Sequence, residues 1–293
     1  MHKYLRAVGF SKLKSKRQVN ELISLVVKNA DERLYTSMEE DVMLAEYNLY
    51  CGSNMGICVR GEYDENNRFL ADYYHPFFRG NQISSYADIS VERHAEKESY
   101  AGVCDDIKVG VSLIFYLQNV VGYLKRKNAG RLPIVGTSLS LAALSTQGKI
   151  IMPIQKDEKD MRKTRQMAIN RNLLIAKARK GDEDAIENLT LEDMDTYSNI
   201  AKMIAKQDVL SLVDTYFMPY GVECDQYAIL GEILHVAKVK NPMTKEEIWQ
   251  LTINCNDLFM DVCINCNDLY GEPAVGRRFK GSVWLQGTIH FPE

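Results

Sequence analysis

The chain has 293 residues, 46% of them hydrophobic and 26% charged, and carries a net charge of −3. These are ordinary globular proportions for about two domains, which excludes disorder as the default state. The charge is too near neutral for bulk attraction to nucleic acid or to an anionic membrane.

Tyr4–Phe10 reads as a short first strand. Ser15 and Gln18 then stand at capping-box spacing, ahead of a helical face of Val19, Leu22, Ile23, Val26 and Val27. From Val42 to His75 the pattern turns to strand. Met55–Tyr63 and Arg68–Tyr74 flank Asp64-Glu65-Asn66-Asn67, residue types that tolerate the left-handed backbone of a hairpin turn. His75-Pro76 is expected to end that run. A long helix is expected over Asp106–Lys127, with Asp105 and Asp106 at its positive end and Lys125, Arg126 and Lys127 at its negative end. A second hairpin is expected at Leu139–Leu144 and Lys149–Ile154, around Ser145-Thr146-Gln147-Gly148.

Residues 157–218 read as all helix. Gly181 stops the first piece, Asp182 caps the next, and Thr190 with Asp193 marks a further cap. A basic stretch, Lys159–Lys180, precedes an acidic one, Asp182–Asp195. Neutralisation within the fold is preferred over a nucleic-acid contact. After Gly221 the period returns to two. Tyr227–Val239 looks like a central strand, Trp249–Cys255 alternates, Asn256-Asp257 is a turn into Leu258–Ile264, and Phe279–Phe291 is a last strand curved at Gly281 and Gly287. The fold expected is α+β: an N-terminal mixed α/β-sheet domain (1–156), a helical connector (157–218) and a small C-terminal β-barrel (219–293). That barrel is similar in layout to oligonucleotide/oligosaccharide-binding (OB) barrels, a likeness that fixes no ligand.

Three places could host chemistry. Glu92, His94, Glu96 and Glu98 are two apart, so a strand would put all four on one face. Carboxylates and an imidazole so placed can hold a divalent metal or act as general acid and base. The plainer reading is a solvated charged face offset by Arg93 and Lys97. Cys263 and Cys266 have zinc-knuckle spacing and Cys255 lies near, but a structural site wants four ligands, so buried thiols are the better reading. On the last strand, Trp284 shares a face with Arg278, Lys280, Gln286 and His290, the makings of a ligand-stacking platform. Trp284 packed within the fold is the competing reading.

Seven cysteines, an odd number, make a poor disulfide framework and point to reduced thiols and a cytoplasmic setting. No signal peptide is expected. The apolar run Val109–Leu124 falls short of the ~20 residues a membrane span needs. Phosphate-binding loops, nucleophile elbows and His-Glu-x-x-His are absent from the sequence.

The stretches Met1–Ser11, Val91–Tyr100, Phe217–Tyr227 and Gly276–Gly281 resemble a family of unknown function from anaerobic Gram-positive, Clostridia-type bacteria. The resemblance spans the whole chain. It implies a bacterial cytoplasmic setting and offers no catalytic residue to carry over. The expected function is binding or regulation without catalysis, through a protein partner, self-association or a small ligand, with no cofactor. The rival is a metal-dependent enzyme, a hydrolase for example, at Glu92, His94, Glu96 and Glu98.

Overall fold

The computed structural model describes residues 1–39, 42–93, 99–106, 112–132, 136–154, 158–204, 210 and 213–292. The chain opens on a 3-10 helix, Lys3–Val8, where a strand was expected. Gly9 closes it at φ 93°, donating its N–H to the carbonyl of Arg6. A side chain at Gly9 would also meet Asn241 at 2.9 Å. Tyr4, Leu5, Ala7 and Val8 are buried and only Lys3 and Arg6 are exposed, so six residues give too short a period to read.

Helix α1 (Lys16–Asn29) begins with the expected capping box. Gln18 donates its backbone N–H to the Ser15 hydroxyl, and the Gln18 side-chain oxygen accepts the Ser15 N–H, both at 3.2 Å. Val19, Leu22 and Val26 form its buried stripe. Four antiparallel strands follow in order: β1 (Glu32–Glu39), β2 (Val42–Tyr50), β3 (Met55–Tyr63) and β4 (Phe69–Phe78). The β3–β4 hairpin turns where expected. The Asp64 carboxylate accepts the Asn66 and Arg68 N–H groups, and Asn67 takes φ 63°. His75-Pro76 does not end the run. Strand β4 continues to Phe78 because it is an edge strand, where a missing N–H removes no ladder bond.

Strands β5 (Ile89–Arg93), β6 (Tyr100–Cys104) and β7 (Leu113–Leu117) come next. Of the long helix expected over Asp106–Lys127, the described residues hold only α2 (Val120–Asn128). The residues before it form β7, which lies between β6 and the last strand. Leu113, Phe115, Tyr116 and Leu117 are buried on both faces of β7, so periodicity cannot tell this strand from a core helix. Asp106 lies before residues 107–111, which are outside the described residues. It accepts a hydrogen bond from the Ser85 hydroxyl at 2.6 Å. The basic last turn, Lys125–Lys127, stands as expected.

The hairpin expected around Gly148 is one strand, β8 (Ser138–Ile151). Gly148 lacks a side chain to admit a ring: a Cβ there would lie 2.5 Å from Phe279. Helices α3 (Glu158–Ala178) and α4 (Glu183–Ile204) pack on each other across Gly181, which takes φ 86°. Asp182 caps α4 through the Ala185 N–H. The further cap at Thr190 is absent: Thr190 sits inside α4 and donates its hydroxyl to the Ile186 carbonyl. Arg171 of α3 meets Asp193 at 2.7 Å and Glu192 at 3.6 Å, so the acidic stretch offsets this one base of the basic stretch.

Strand β9 (Tyr216–Pro219) replaces the expected end of the helical stretch. Then come β10 (Gln226–Lys240), β11 (Glu247–Cys255), β12 (Leu258–Asn265), β13 (Leu269–Tyr270) and β14 (Arg278–His290). Asn256 and Asp257, at φ 55° and 61°, make the expected tight turn. A five-stranded barrel closes in the order β8-β12-β11-β10-β14 and back to β8. Residues 219–293 supply four of these strands, and β8 supplies the fifth. Only the β12–β8 pair is parallel.

The strand alternation divides the core. Leu285, Val283, Met260, Val262, Ile253 and Ile229 belong to one cluster within the barrel. Trp284, Leu144, Ala142 and Cys263 point the other way, into a second cluster with Tyr4, Leu5, Val8, Ile57 and Phe78. The 3-10 helix and the four-stranded sheet thus cover one outer flank of the barrel.

Candidate ligand-binding cleft

Alternation along β14 turns Trp284 out of the barrel and under the 3-10 helix. Tyr4 stacks on its indole with ring centroids 5.4 Å apart and planes 24° apart. His2 lies 4.9 Å away at 42°, and Tyr116 lies 5.1 Å away at 58°. The indole N–H donates to the Asp225 carboxylate at 2.6 Å, while the Asp225 carbonyl accepts the Leu285 N–H at 2.9 Å. Residues 221–225 therefore clip onto β14 through Asp225, next to Gln226, which pairs with Trp284 in the sheet. Gly221, at φ 78°, lets the chain turn there.

Above Trp284 is a cleft of about 1000 Å³. Its walls are the start of the chain (His2, Lys3, Tyr4), Tyr73 of β4, Tyr100 of β6, Tyr116 of β7 and the 221–226 loop. That size and mix of rings with a few polar groups suits a small-molecule site. Lys3 spans the rim: its ammonium donates to the Gln226 side-chain oxygen at 3.1 Å and sits 5.0 Å from the Tyr4 ring centre.

A buried polar network backs the cleft. Arg60 is 1% exposed and donates to Glu46 at 2.8 Å, to the Tyr116 hydroxyl at 2.8 Å and to the Gln118 carbonyl at 3.0 Å. His75 lies beside Tyr116, its Nδ1 3.3 Å from the hydroxyl. Burial raises the Tyr4 hydroxyl above its ordinary range, and the Asp225 charge adds to this. Burial pushes Tyr73 up to about 12. Burial also raises the Cys224 thiol, with Asp225 adding to it, so this exposed cysteine at the cleft is no activated nucleophile.

Burial holds His75 well below the ordinary imidazole value, and the charges of Arg60 and His2 reinforce it. The unfolded chain, with an imidazole near 6.5, takes up a proton that the native chain refuses. Native stability should therefore fall as pH drops from about 6.5 toward the folded-state value, by up to ~1.4 kcal/mol per pH unit. Urea midpoints at pH 7.5 and 5.5 measure this. The His75→Gln variant is expected to lose much of that acid sensitivity, and an unchanged slope would assign it elsewhere.

Of the described residues marked in the sequence, Trp284 alone lines the cleft. Its platform is not open, because the 3-10 helix and β7 cover it. Arg278 is buried and donates to the carbonyls of Met152, Leu210 and Val213, each at about 2.8 Å. Gln286 is fully buried: its oxygen accepts from Phe78 and Gln118, and its amide donates to the Pro76 carbonyl. Both bind the fold together. Lys280 is half-buried between β10 and β8, and exposed His290 lies 2.7 Å from the Ser140 hydroxyl. Glu92 is exposed on β5, an edge strand. His94, Glu96 and Glu98 lie outside the described residues. Among the described residues no three His, Cys, Asp or Glu side chains group as a metal site. Cys255 belongs to the barrel cluster and Cys263 to the outer one, so the two thiols point apart.

His2, Tyr4, Tyr73, Tyr116 and Asp225 were not marked. The one sequence signal for His2, Tyr4 and Asp225 is that Met1–Ser11 and Phe217–Tyr227, two stretches carrying the family resemblance, both line the cleft; Tyr73 and Tyr116 had none. A family model described as "Domain of unknown function, E. rectale Gene description (DUF3881)" matches residues 5–287. No curated protein and no solved structure matches the chain.

Proposed function

Since the chain belongs to this family of unknown function, we propose its role from the cleft itself: a binding protein that takes a small ligand between the 3-10 helix and residues 221–226. The observation that carries this is the ring cluster beneath the cleft, where Trp284 is fixed by Tyr4, His2, Tyr116 and Asp225. A pre-formed aromatic floor with a few placed polar groups binds without having to order itself first.

An OB-like assignment fits the strand pairing. In such barrels a three-strand meander closes through a parallel neighbour of its last strand. Here β10-β11-β12 is the meander and β8 its parallel neighbour, so the barrel would be an OB barrel whose final strand comes first in the chain. A protein contact at the same mouth is favoured by one observation: Val222 is wholly exposed there, with Met218 and Tyr220 about half exposed nearby. The cytoplasmic setting remains part of the proposal and is consistent with seven free thiols. The rival metal-dependent hydrolase at Glu92, His94, Glu96 and Glu98 is tested by metal content of purified wild type against His94→Ala.

The chain has two tryptophans, and Trp249 lies outside the cleft. In a Trp249→Phe background, fluorescence reports Trp284 alone. Titration with sugars, carboxylates, nucleotides and amines is expected to give a saturable emission change with at least one class. A flat response to all four would remove the proposal.

A further inference from the structure

We infer that the ligand of this cleft presents acceptor oxygens, of the carbonyl, carboxylate or hydroxyl kind, to the phenolic hydroxyls of Tyr4 and Tyr73. The inference rests on the binding reading above and names the groups that recognise the ligand.

Several polar atoms on the cleft walls already have partners. The Trp284 N–H goes to Asp225, the Tyr116 hydroxyl meets Arg60 and His75, and the Gln226 side-chain oxygen takes the Lys3 ammonium. The hydroxyls of Tyr4 and Tyr73 differ, for neither makes a hydrogen bond with a described residue. Tyr4 is 5% exposed, and its ring is stacked on Trp284. Tyr73 is half-buried. Both line the cleft, and neither hydroxyl oxygen is sealed from it. Buried polar groups are almost always hydrogen-bonded, because one left without a partner costs free energy. If the fold used Tyr4 only for its ring, phenylalanine would stack on Trp284 without that cost. The hydroxyl is therefore explained by something that enters the cleft.

The two hydroxyls come from different walls, Tyr4 from the 3-10 helix and Tyr73 from β4. Their rings flank His2, with centroids 5.9 and 6.4 Å from the imidazole, so they serve one part of the cleft. Burial keeps the proton on each: it raises Tyr4 above its ordinary range and Tyr73 to about 12. At neutral pH both are therefore O–H donors, and what a donor requires is an acceptor. The surrounding rings supply apolar walls, so the ligand joins an apolar body to its oxygens. A site built on such donors rejects an analogue that lacks the oxygen, because its hydroxyls then stay unpaired.

The test uses the full-length chain carrying Trp249→Phe, read by fluorescence and calorimetry. N-acetylglucosamine, benzamide and benzoate are the oxygen-bearing probes, separating hydroxyl, amide and carboxylate acceptors. Benzylamine has the same ring as the last two and no acceptor oxygen. Saturable binding of at least one oxygen-bearing probe, with benzylamine much weaker, is the expected result. Tyr4→Phe and Tyr73→Phe should each weaken that binding about fivefold, the scale of one neutral hydrogen bond. Neither should lower the thermal midpoint, because neither hydroxyl bonds to the fold. Tyr270→Phe, at an exposed tyrosine outside the cleft, should leave binding unchanged. Full-strength binding by both cleft variants overturns this inference, leaves the hydroxyls to solvent and keeps the binding reading. Benzylamine binding as tightly as the oxygen-bearing probes does the same. A lowered midpoint in either cleft variant also overturns it, since that hydroxyl then holds the protein together. Silence toward all four probes overturns the inference, and the binding reading falls with it if nucleotides are silent too.

Discussion

Replacing Glu46 with alanine is expected to lower unfolding free energy by about 3–5 kcal/mol, the usual cost of leaving a buried charge without its partner. Arg60 and Glu46 are 1% and 2% exposed, and their atoms meet at 2.8 Å. Burial alone would push the guanidinium toward neutrality. Tyr116 and Glu46 more than offset this and hold it charged. The alanine variant keeps that charge and removes its counterion. Arg60 also ties β3 to β7 through the Tyr116 hydroxyl and the Gln118 carbonyl, so the damage should reach the cleft wall. A paired change, Glu46→Leu with Arg60→Met, is expected to recover much of the loss, since apolar replacement of a buried pair is often neutral. Recovery should be incomplete, because the Gln118 carbonyl and the Tyr116 hydroxyl each lose a donor. Urea unfolding of the two singles and the double measures the coupling. A Glu46→Ala variant within about 1 kcal/mol of wild type would mean that Arg60 finds another counterion or reaches water.

That pair was silent in the sequence for a reason that applies to much of the cleft. Arg60 and Glu46 sit in strands whose apolar neighbours say "buried", yet nothing local says that the two face each other. Where one face of an element meets water, the period is readable, as along α1 behind Ser15 and Gln18, and a tight turn such as Asn256-Asp257 between β11 and β12 shows in its residue types. Where an element is buried all round, the period vanishes. Leu113–Leu117 was a strand inside an expected helix, and Tyr4–Phe10, with Arg6 its one exposed residue, was too short to show the period of the 3-10 helix it holds. Gly148 looked like a turn residue because the ring it admits, Phe279, lies far along the chain. The cleft gathers side chains from the 3-10 helix, β4, β6, β7, β14 and the loop before β10, and no spacing rule joins segments so far apart. Trp284 could be picked out as unusual, but its cover could not.

That cover decides how Trp284 must be tested. Trp284→Ala is expected to cost about 3–5 kcal/mol, as large aromatic truncations in a core do. It removes contacts to Tyr4, His2 and Tyr116 together and leaves Asp225 without the indole N–H. Loss of binding in that variant would say little, since the cleft floor goes with the side chain. Trp284→Phe separates the two roles. The ring still fills most of the space, but the N–H donor to the carboxylate is gone, a hydrogen bond to a charged group worth about 1.5–3 kcal/mol. Asp225 helps clip residues 221–226 to β14, so the phenylalanine variant should stay folded with a loosened 221–226 segment. Faster amide hydrogen exchange confined to that segment is the expected signature. A phenylalanine variant as unstable as the alanine one, with exchange faster across the barrel, would show instead that Asp225 and the indole hold β14 itself in place.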